Sequence, residues 1–511
     1  MDDKGICGEH EIDVQVARRI AGGGFDQTVR YSAFAFVAYV CGVAGLNIAA
    51  AMLIPMVVDM IDGNPDWQVF LTAAVCIGFV CLALVFAFGG RSVPFSRRLG
   101  FLTVNALWVT VVIFAAVPYA FSGLSLSWAD AIFESVSGLT TTGSTVLQGL
   151  ESMPRGLLLW RSLTQGIGGI GIIAMSVILM PLLRIGGMQV YRMESSAQEE
   201  RPVARFSQFA SNMLLLYGVL TLACAACYAL AGMTPFVALN HALTTVSTGG
   251  FSTYDTSLIG LGPGVHLVAI VFMIAGSLPF LAYLRALAAR DIRKAYDPQI
   301  PVLLGIFAVL SVLAFIAAPS HSGGAGANFA LMAVFNVVSI VTTTGFATSD
   351  YLSWGPMAVG VFLIATFLGG AAGSTSGGLK TFRLIVMFKM LHLALREVVF
   401  PRGVTSVHYG GVRMSEQAMR SVGVFVITFL AILLIETLIL SATGLDIVTG
   451  FSASLTALTN TGPGVSALIG PTGNFASLPE IAKWSLAVTM LLGRLEIMTV
   501  LVLLTPLFWR G

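Results

Sequence analysis

The sequence predicts an all-α polytopic membrane protein of ten spans, in which a two-helix hairpin precedes four copies of one helix–short segment–helix unit. Three observations predict this. First, of 511 residues, 56% are hydrophobic and only 10% are charged, whereas a soluble domain carries roughly a quarter charged residues. Second, the apolar residues fall in runs long enough to cross ~30 Å of hydrocarbon. Third, one short turn is written four times: Thr141-Thr142-Gly143, Ser247-Thr248-Gly249, Thr343-Thr344-Gly345 and, more loosely, Asn460-Thr461-Gly462. These glycines are 106, 96 and 117 residues apart, the length of one membrane helix–loop–helix unit, and a repeat of that size dictates the fold.

The elements follow in order. Residues 1–31 are polar and read as a cytosolic arm without the apolar segment of a cleaved signal peptide. Residues 32–98 form the hairpin, with runs at 32–60 and 67–89 joined by the acidic turn 59–66. Repeat 1 (99–206) has a run at 100–119, a short segment at 131–142 and a run at 156–183. Repeat 2 (207–299) has the same parts at 209–231, 236–248 and 265–288. Repeat 3 (300–413) has them at 300–318, 329–344 and 356–395, the last interrupted, and repeat 4 (414–511) at 422–442, 448–461 and 481–507. The short segments cannot span a bilayer and are too apolar for loops. That is the pattern of re-entrant segments, which are tolerated at membrane depth only where they are buried or line water.

Charge supplies an independent check, because cytoplasmic loops carry the excess of Lys and Arg. With a cytoplasmic amino terminus, the inner segments hold 23 of the 27 Lys and Arg and the outer loops hold Arg155 and Lys483, with Arg161 and Arg494 inside spans. Both termini are then cytoplasmic, and all four turns face the other side.

A single threonine–glycine turn is usually a helix cap. Four at matching places can instead point at one another and at water. Glycine permits positive φ, so successive carbonyls can face a common axis, where a ring of them replaces the hydration shell of a cation. The short helices would also aim their carbonyl ends at that axis. The expected architecture is four repeats of outer helix, pore helix and inner helix around a central pore.

On these residues the chain resembles the Trk/Ktr/HKT superfamily of potassium transporters, closest to the bacterial TrkH/TrkG subunits. The resemblance covers residues 32–511 and rests on four glycine turns, a broken inner helix in repeat 3 and an arginine in that of repeat 4. It implies cation binding by the carbonyls of Thr141, Thr142, Ser247, Thr248, Thr343, Thr344, Asn460 and Thr461 beside Gly143, Gly249, Gly345 and Gly462. Sodium-selective relatives tend to carry serine at the first glycine, so Gly143 argues for potassium. The fourth turn departs from the pattern through Asn460 and Pro463.

The break in repeat 3 is 369–378, with Gly369, Gly370, Gly373, Gly377 and Gly378, followed by Lys380. Five glycines there cannot sustain a helix, at roughly 1 kcal/mol each against alanine. The resemblance makes this an intramembrane gate below the filter. A phosphate loop is the alternative, but the GxxxxGK[ST] order is absent. Arg494 lies within an apolar span, where a charge needs a cavity or a partner. It reads either as an ion pair with Glu496 or a pore-helix acid, or, as the resemblance implies, as a positive constriction against the Gly-rich loop. Glu134 is expected to brace the filter by accepting backbone N–H groups, the alternative being that it tunes cation attraction, while Arg161 is expected to snorkel to the interface and His241 to be packing. Cys224 and Cys227 have CxxC spacing within an apolar run and read as helix filler.

No nucleophile–base arrangement or metal-ligand cluster appears, so no enzyme is expected, and neither is a covalent cofactor or a nucleic-acid partner. Potassium would be the bound and transported ion. The resemblance adds a homodimer in the lipid of the bacterial inner membrane and a cytosolic TrkA-type nucleotide-binding ring on the basic segments 285–299 and 380–413. The alternatives are a sodium-permeable relative, a cation-coupled transporter and a non-conducting sensor or scaffold.

Overall fold

The structure is a computed structural model that describes residues 7–90, 96–175, 202–317, 326–401 and 406–510. The expected end of the repeat 1 run at 176–183 and most of the basic segment 184–206 lie outside the described residues.

The hairpin consists of helices Cys7–Asp62 and Trp67–Phe88, and Gly63 takes positive φ at their turn. Each repeat then has a leading helix: Arg97–Phe121, Pro202–Leu230, Gln299–Ala317 and Glu416–Ala442. The short helices are Trp128–Leu139, Pro235–Val246, Gly326–Val341 and Ile447–Thr459. Their starts are written locally. Ser127 Oγ accepts from the Asp130 N–H at 3.1 Å, the Asp446 carboxylate accepts from the Thr449 N–H at 3.0 Å, and Pro235 occupies the first turn of its helix.

The trailing helices carry a correction. Only that of repeat 1, Arg155–Ala174, is unbroken over its described length. Repeat 3 breaks as expected, into Pro356–Phe367 and Thr381–Val399 around the Gly-rich loop. The runs at 265–288 and 481–507, read as continuous from composition, are also broken. Pro263–Ser277 meets Phe280–Ala289 at 87°, and Glu480–Arg494 meets Ile497–Leu504 at 112°. Pro279 explains the first bend, since the residue before proline avoids the helical region. At the second, Glu496 has φ 64°, which no α-helix accommodates. Among the described residues, seven helices are long and apolar enough to span a membrane, and the two bent pairs raise this to nine. The interrupted pair of repeat 3, Pro356–Phe367 and Thr381–Val399, is not among these nine.

Each short helix packs on the leading helix of its own repeat, and each trailing helix packs on the short helix of the next. Arg155–Ala174 meets Pro235–Val246, Pro263–Ser277 meets Gly326–Val341, Pro356–Phe367 meets Ile447–Thr459, and Glu480–Arg494 returns to Trp128–Leu139. The repeats therefore close into a ring around the four turns. Missing side chains set the depth of packing: a Cβ on Gly168, Gly276 or Gly493 would stand 2.0, 2.8 or 2.1 Å from the carbonyl oxygens of Leu139, Val246 and Leu458, and small residues let membrane helices approach this closely.

The hairpin packs outside the ring, on the leading and trailing helices of repeat 1. One apolar cluster joins it to repeats 1 and 4 through Met52, Phe70, Trp160 and Met490, and a second joins repeats 2 and 3 through Tyr228, Phe307, Phe335 and Phe362. At the end of repeat 3, His408–Tyr409 and Val412–Arg413 form a two-stranded antiparallel hairpin.

Candidate functional site

The four turns lie together at the centre of the ring; Thr141, Thr142, Thr248, Thr343, Thr344, Asn460 and Thr461 are buried, while Gly143, Gly250 and Gly345 are half-buried. In each, a residue at the end of the short helix takes left-handed φ: Thr141 at 50°, Thr248 at 51°, Thr343 at 57° and Asn460 at 55°. Asparagine tolerates this conformation, whereas β-branched threonine is strained in it, and strain of this kind gathers at functional sites. The next residue donates its N–H five positions back: Thr142 to Ser137 O, Gly249 to Thr244 O, Thr344 to Ser339 O and Thr461 to Thr456 O, all at 2.8–3.0 Å. A positive-φ glycine follows, namely Gly143, Gly250, Gly345 and Gly462.

This corrects the register of the second turn. The structural counterpart of Gly143 is Gly250, not Gly249, so the turn is Thr248-Gly249-Gly250 and Ser247 belongs to the helix end. Phe251 and Phe346 after the two glycines carried the signal, because Gly-Phe aligns with Gly-Phe only in this register.

The four glycines interlock. A Cβ on Gly143 would stand 2.2 Å from the Gly249 carbonyl oxygen, on Gly250 1.8 Å from that of Thr344, on Gly345 2.3 Å from that of Thr461, and on Gly462 2.8 Å from that of Thr142. Each turn thus fits its glycine against the carbonyl of the next, and the fourth returns to the first. Side chains tie the same seams. Asn460 Nδ2 donates to Thr142 Oγ1 and to Met490 O, both at 2.9 Å, and the Ser144 hydroxyl donates to Gly462 O at 3.0 Å.

Nine residues before three of the four glycines, Gly143, Gly250 and Gly345, stands a brace. The Glu134 carboxylate accepts from the Val146 N–H at 3.1 Å and from the Thr145 hydroxyl at 3.0 Å. Asn336 Oδ1 accepts from the Thr348 N–H at 3.1 Å, and His241 Nε2 lies 3.1 Å from Ser252 Oγ. His241, expected to be packing, is therefore the counterpart of Glu134, while the fourth repeat has Ala453 there. Arg161 does not snorkel. It is 1% exposed, pairs with Glu134 at 2.8 Å, donates to Ser252 O at 2.9 Å and lies over the Phe251 ring at 4.2 Å. A buried carboxylate beside the first turn held it in place, which outweighs a short reach to water. On one side of the ring a polar vestibule of about 300 Å³ is lined by Gly143, Gly250, Gly345 and Gly462 together with Ser144 and Asp255.

On the other side lies the Gly-rich loop, bonded directly to repeats 2, 3 and 4 and linked to repeat 1 through Arg494. The Gly377 N–H donates to Thr343 Oγ1 at 2.7 Å, the Gly378 N–H to Thr459 O at 2.8 Å, and Thr375 Oγ1 to Val246 O at 3.1 Å. Arg494 completes the set, donating to Thr141 Oγ1 and to Thr375 O. Gly373 O accepts from the Phe280 N–H at 3.0 Å at the bend of repeat 2, Ala371 N–H donates to Ser277 O at 2.9 Å, and Gly370 O accepts from Thr381 N–H at 3.1 Å. Gly369 O accepts from the Thr381 hydroxyl at 3.0 Å.

Of the two readings of Arg494, contact with the loop is the one realised; Glu496 pairs instead with Arg383, whose guanidinium lies over Phe425. Lys380 folds back onto Ser376 O. Among the described residues, Arg494, Lys380 and Arg383 line a cavity of about 30 Å³ beside the loop together with one acid, Glu496. Cys224 and Cys227 are free thiols.

Comparison with known proteins agrees with this fold. The model of the family TrkH, cation transport protein, matches residues 67–321 and 323–507. The Trk system potassium uptake protein TrkI of Halomonas elongata is 39% identical over 476 residues, 92% of this chain and 96% of the relative. TrkH of Escherichia coli K12 is 36% identical, over 81% of this chain and 86% of the relative. Among solved structures, the potassium transporter TrkH from Vibrio parahaemolyticus superposes with a TM-score of 0.86 at 33% identity, covering 93% of this chain and all of the other. By sequence and by fold, the chain belongs to the TrkH cation transport family.

Proposed function

We propose that the chain is the ion-conducting subunit of a bacterial potassium uptake system. The observation that carries this reading is the cyclic closure of the four turns, glycine against carbonyl, beneath a polar vestibule. A hydrated potassium ion enters that vestibule and sheds water at a ring built from Thr141-Thr142-Gly143, Thr248-Gly249-Gly250, Thr343-Thr344-Gly345 and Asn460-Thr461-Gly462. Backbone oxygens and threonine hydroxyls replace its hydration shell. The Gly-rich loop and Arg494 close the path below and open it when the loop leaves the threonines. The potassium uptake names of the relatives support the choice of ion, as does Gly143. The bacterial inner membrane, cytoplasmic termini, a homodimer and a cytosolic TrkA-type ring on segments 285–299 and 380–413 complete the reading.

The test is rubidium uptake into liposomes holding the purified protein, with potassium and sodium as competitors. Potassium is expected to compete well and sodium poorly, and Gly345→Asp to abolish the flux. Equal competition by sodium would favour a sodium-permeable transporter.

A further inference from the structure

The second turn lacks a side chain that the other three share. Hydroxyls pair at 2.7 Å between Thr140 and Thr142, and at 2.8 Å between Thr342 and Thr344 and between Thr459 and Thr461. These pairs tie the residue before each positive-φ glycine to the end of its short helix. In the second turn the same two positions are Ser247 and Gly249, and the Ser247 hydroxyl donates instead to Thr244 O at 3.2 Å.

Gly249 is not among the residues of positive φ, so its missing side chain is a matter of space. A Cβ there would stand 2.4 Å from Gln165 Cδ and Oε1 and 2.8 Å from Nε2. The Gln165 carboxamide, fully buried, occupies the volume a threonine would fill. It comes from the trailing helix of repeat 1, one turn beyond Arg161. Its Nε2 donates to the Gly249 carbonyl at 2.7 Å, and its Oε1 accepts from the Phe251 N–H at 3.1 Å. Burying an amide is costly unless both ends are bonded, and here both are bonded to the backbone of one turn. That turn holds two consecutive glycines, the least constrained backbone available.

We infer that Gln165 is a positioning and selectivity-determining residue, standing in from the first repeat for the threonine that the second turn lacks. The inference rests on the filter reading above. It predicts that Gln165 and position 249 are exchangeable: the carboxamide can be removed if the threonine is restored.

The experiment measures potassium and sodium competition against rubidium uptake in liposomes, with a thermal melt of each purified variant. Gln165→Met keeps the volume and removes both hydrogen bonds. It is expected to lower the preference for potassium over sodium by about tenfold, near the upper end of what one net hydrogen bond contributes. Gln165→Ala alone should lose as much or more. Gln165→Ala with Gly249→Thr should recover the preference to within about threefold of wild type, whereas Gly249→Thr alone meets the carboxamide and loses it.

Wild-type selectivity in Gln165→Met, or a double variant no better than Gln165→Ala, overturns the inference. Should Gln165→Met fail to accumulate, the double variant decides, since only this substitution predicts that a chain without the glutamine folds and discriminates. Undiminished, discriminating uptake by Gly345→Asp would instead defeat the filter reading itself.

Discussion

The layer of the four turns and the layer directly beneath it are built on opposite plans. In the upper layer every repeat contributes the same parts, a left-handed residue, a carbonyl and a positive-φ glycine, each fitted to the next. The lower layer has no such symmetry. Repeat 3 alone supplies the Gly-rich loop, repeat 4 alone supplies Arg494, and repeat 2 bends at Ser277 to receive the loop's backbone. A shell of ligands around a spherical ion needs contributions from all sides, whereas an obstruction needs only one. The difference teaches that the ring is a shared structure that any one repeat can destroy, while the lower layer, the gate of the proposed function, is a local one that can be removed.

The largest expected effect tests the first half of that statement. Gly250→Ala puts a methyl 1.8 Å from the Thr344 carbonyl oxygen at a φ of 78°. Strain and overpacking together cost about 3 kcal/mol or more. Rubidium uptake should fall to background although only one of four turns is altered, and a variant retaining half its flux would break the comparison.

Next comes the brace beneath the ring's outer edge. Glu134→Ala leaves Arg161 buried without its carboxylate, which costs about 3–5 kcal/mol and should appear as a large drop in the thermal unfolding midpoint. Replacing both partners, Glu134→Leu with Arg161→Met, should recover much of that midpoint, because the penalty belongs to the unpaired charge.

The smallest effect has the opposite sign. Arg494→Ala removes a cation that touches Thr141 and the loop. It should raise rubidium flux by about tenfold, within the few kcal/mol that one charge opposes to another at a partly hydrated site. Flux that falls instead would show that the lower layer supports the ring rather than blocks it.

Local features of the chain are written in its sequence, and contacts between repeats are not. The spans, the short helices and the break at 369–378 were legible, because length, apolarity and glycine content act locally. The bends at Ser277 and Glu496 were hidden inside runs whose composition is uniformly apolar. The second turn was misplaced by one residue because two adjacent glycines satisfy the same pattern, and the deciding mark was the phenylalanine after them. The place of Arg161 along its helix points it to the interface, and only the fold brings Glu134 across the bundle to pair with it. Gln165 carries no mark in the sequence: a single amide in a helix has no pattern, and its contacts exist only beside Gly249.

By itself, then, the sequence determined that this chain crosses a membrane many times, that it repeats one unit four times, and that each repeat ends its short helix in a glycine turn. These follow from the cost of burying backbone in hydrocarbon and from the φ that glycine allows. The tertiary structure decided which glycine of the second turn joins the ring, which helices bend, and which polar side chains brace the turns. Those choices are made across the seams between repeats, where residues roughly a hundred positions apart compete for one volume and one carbonyl, and no local pattern records the result.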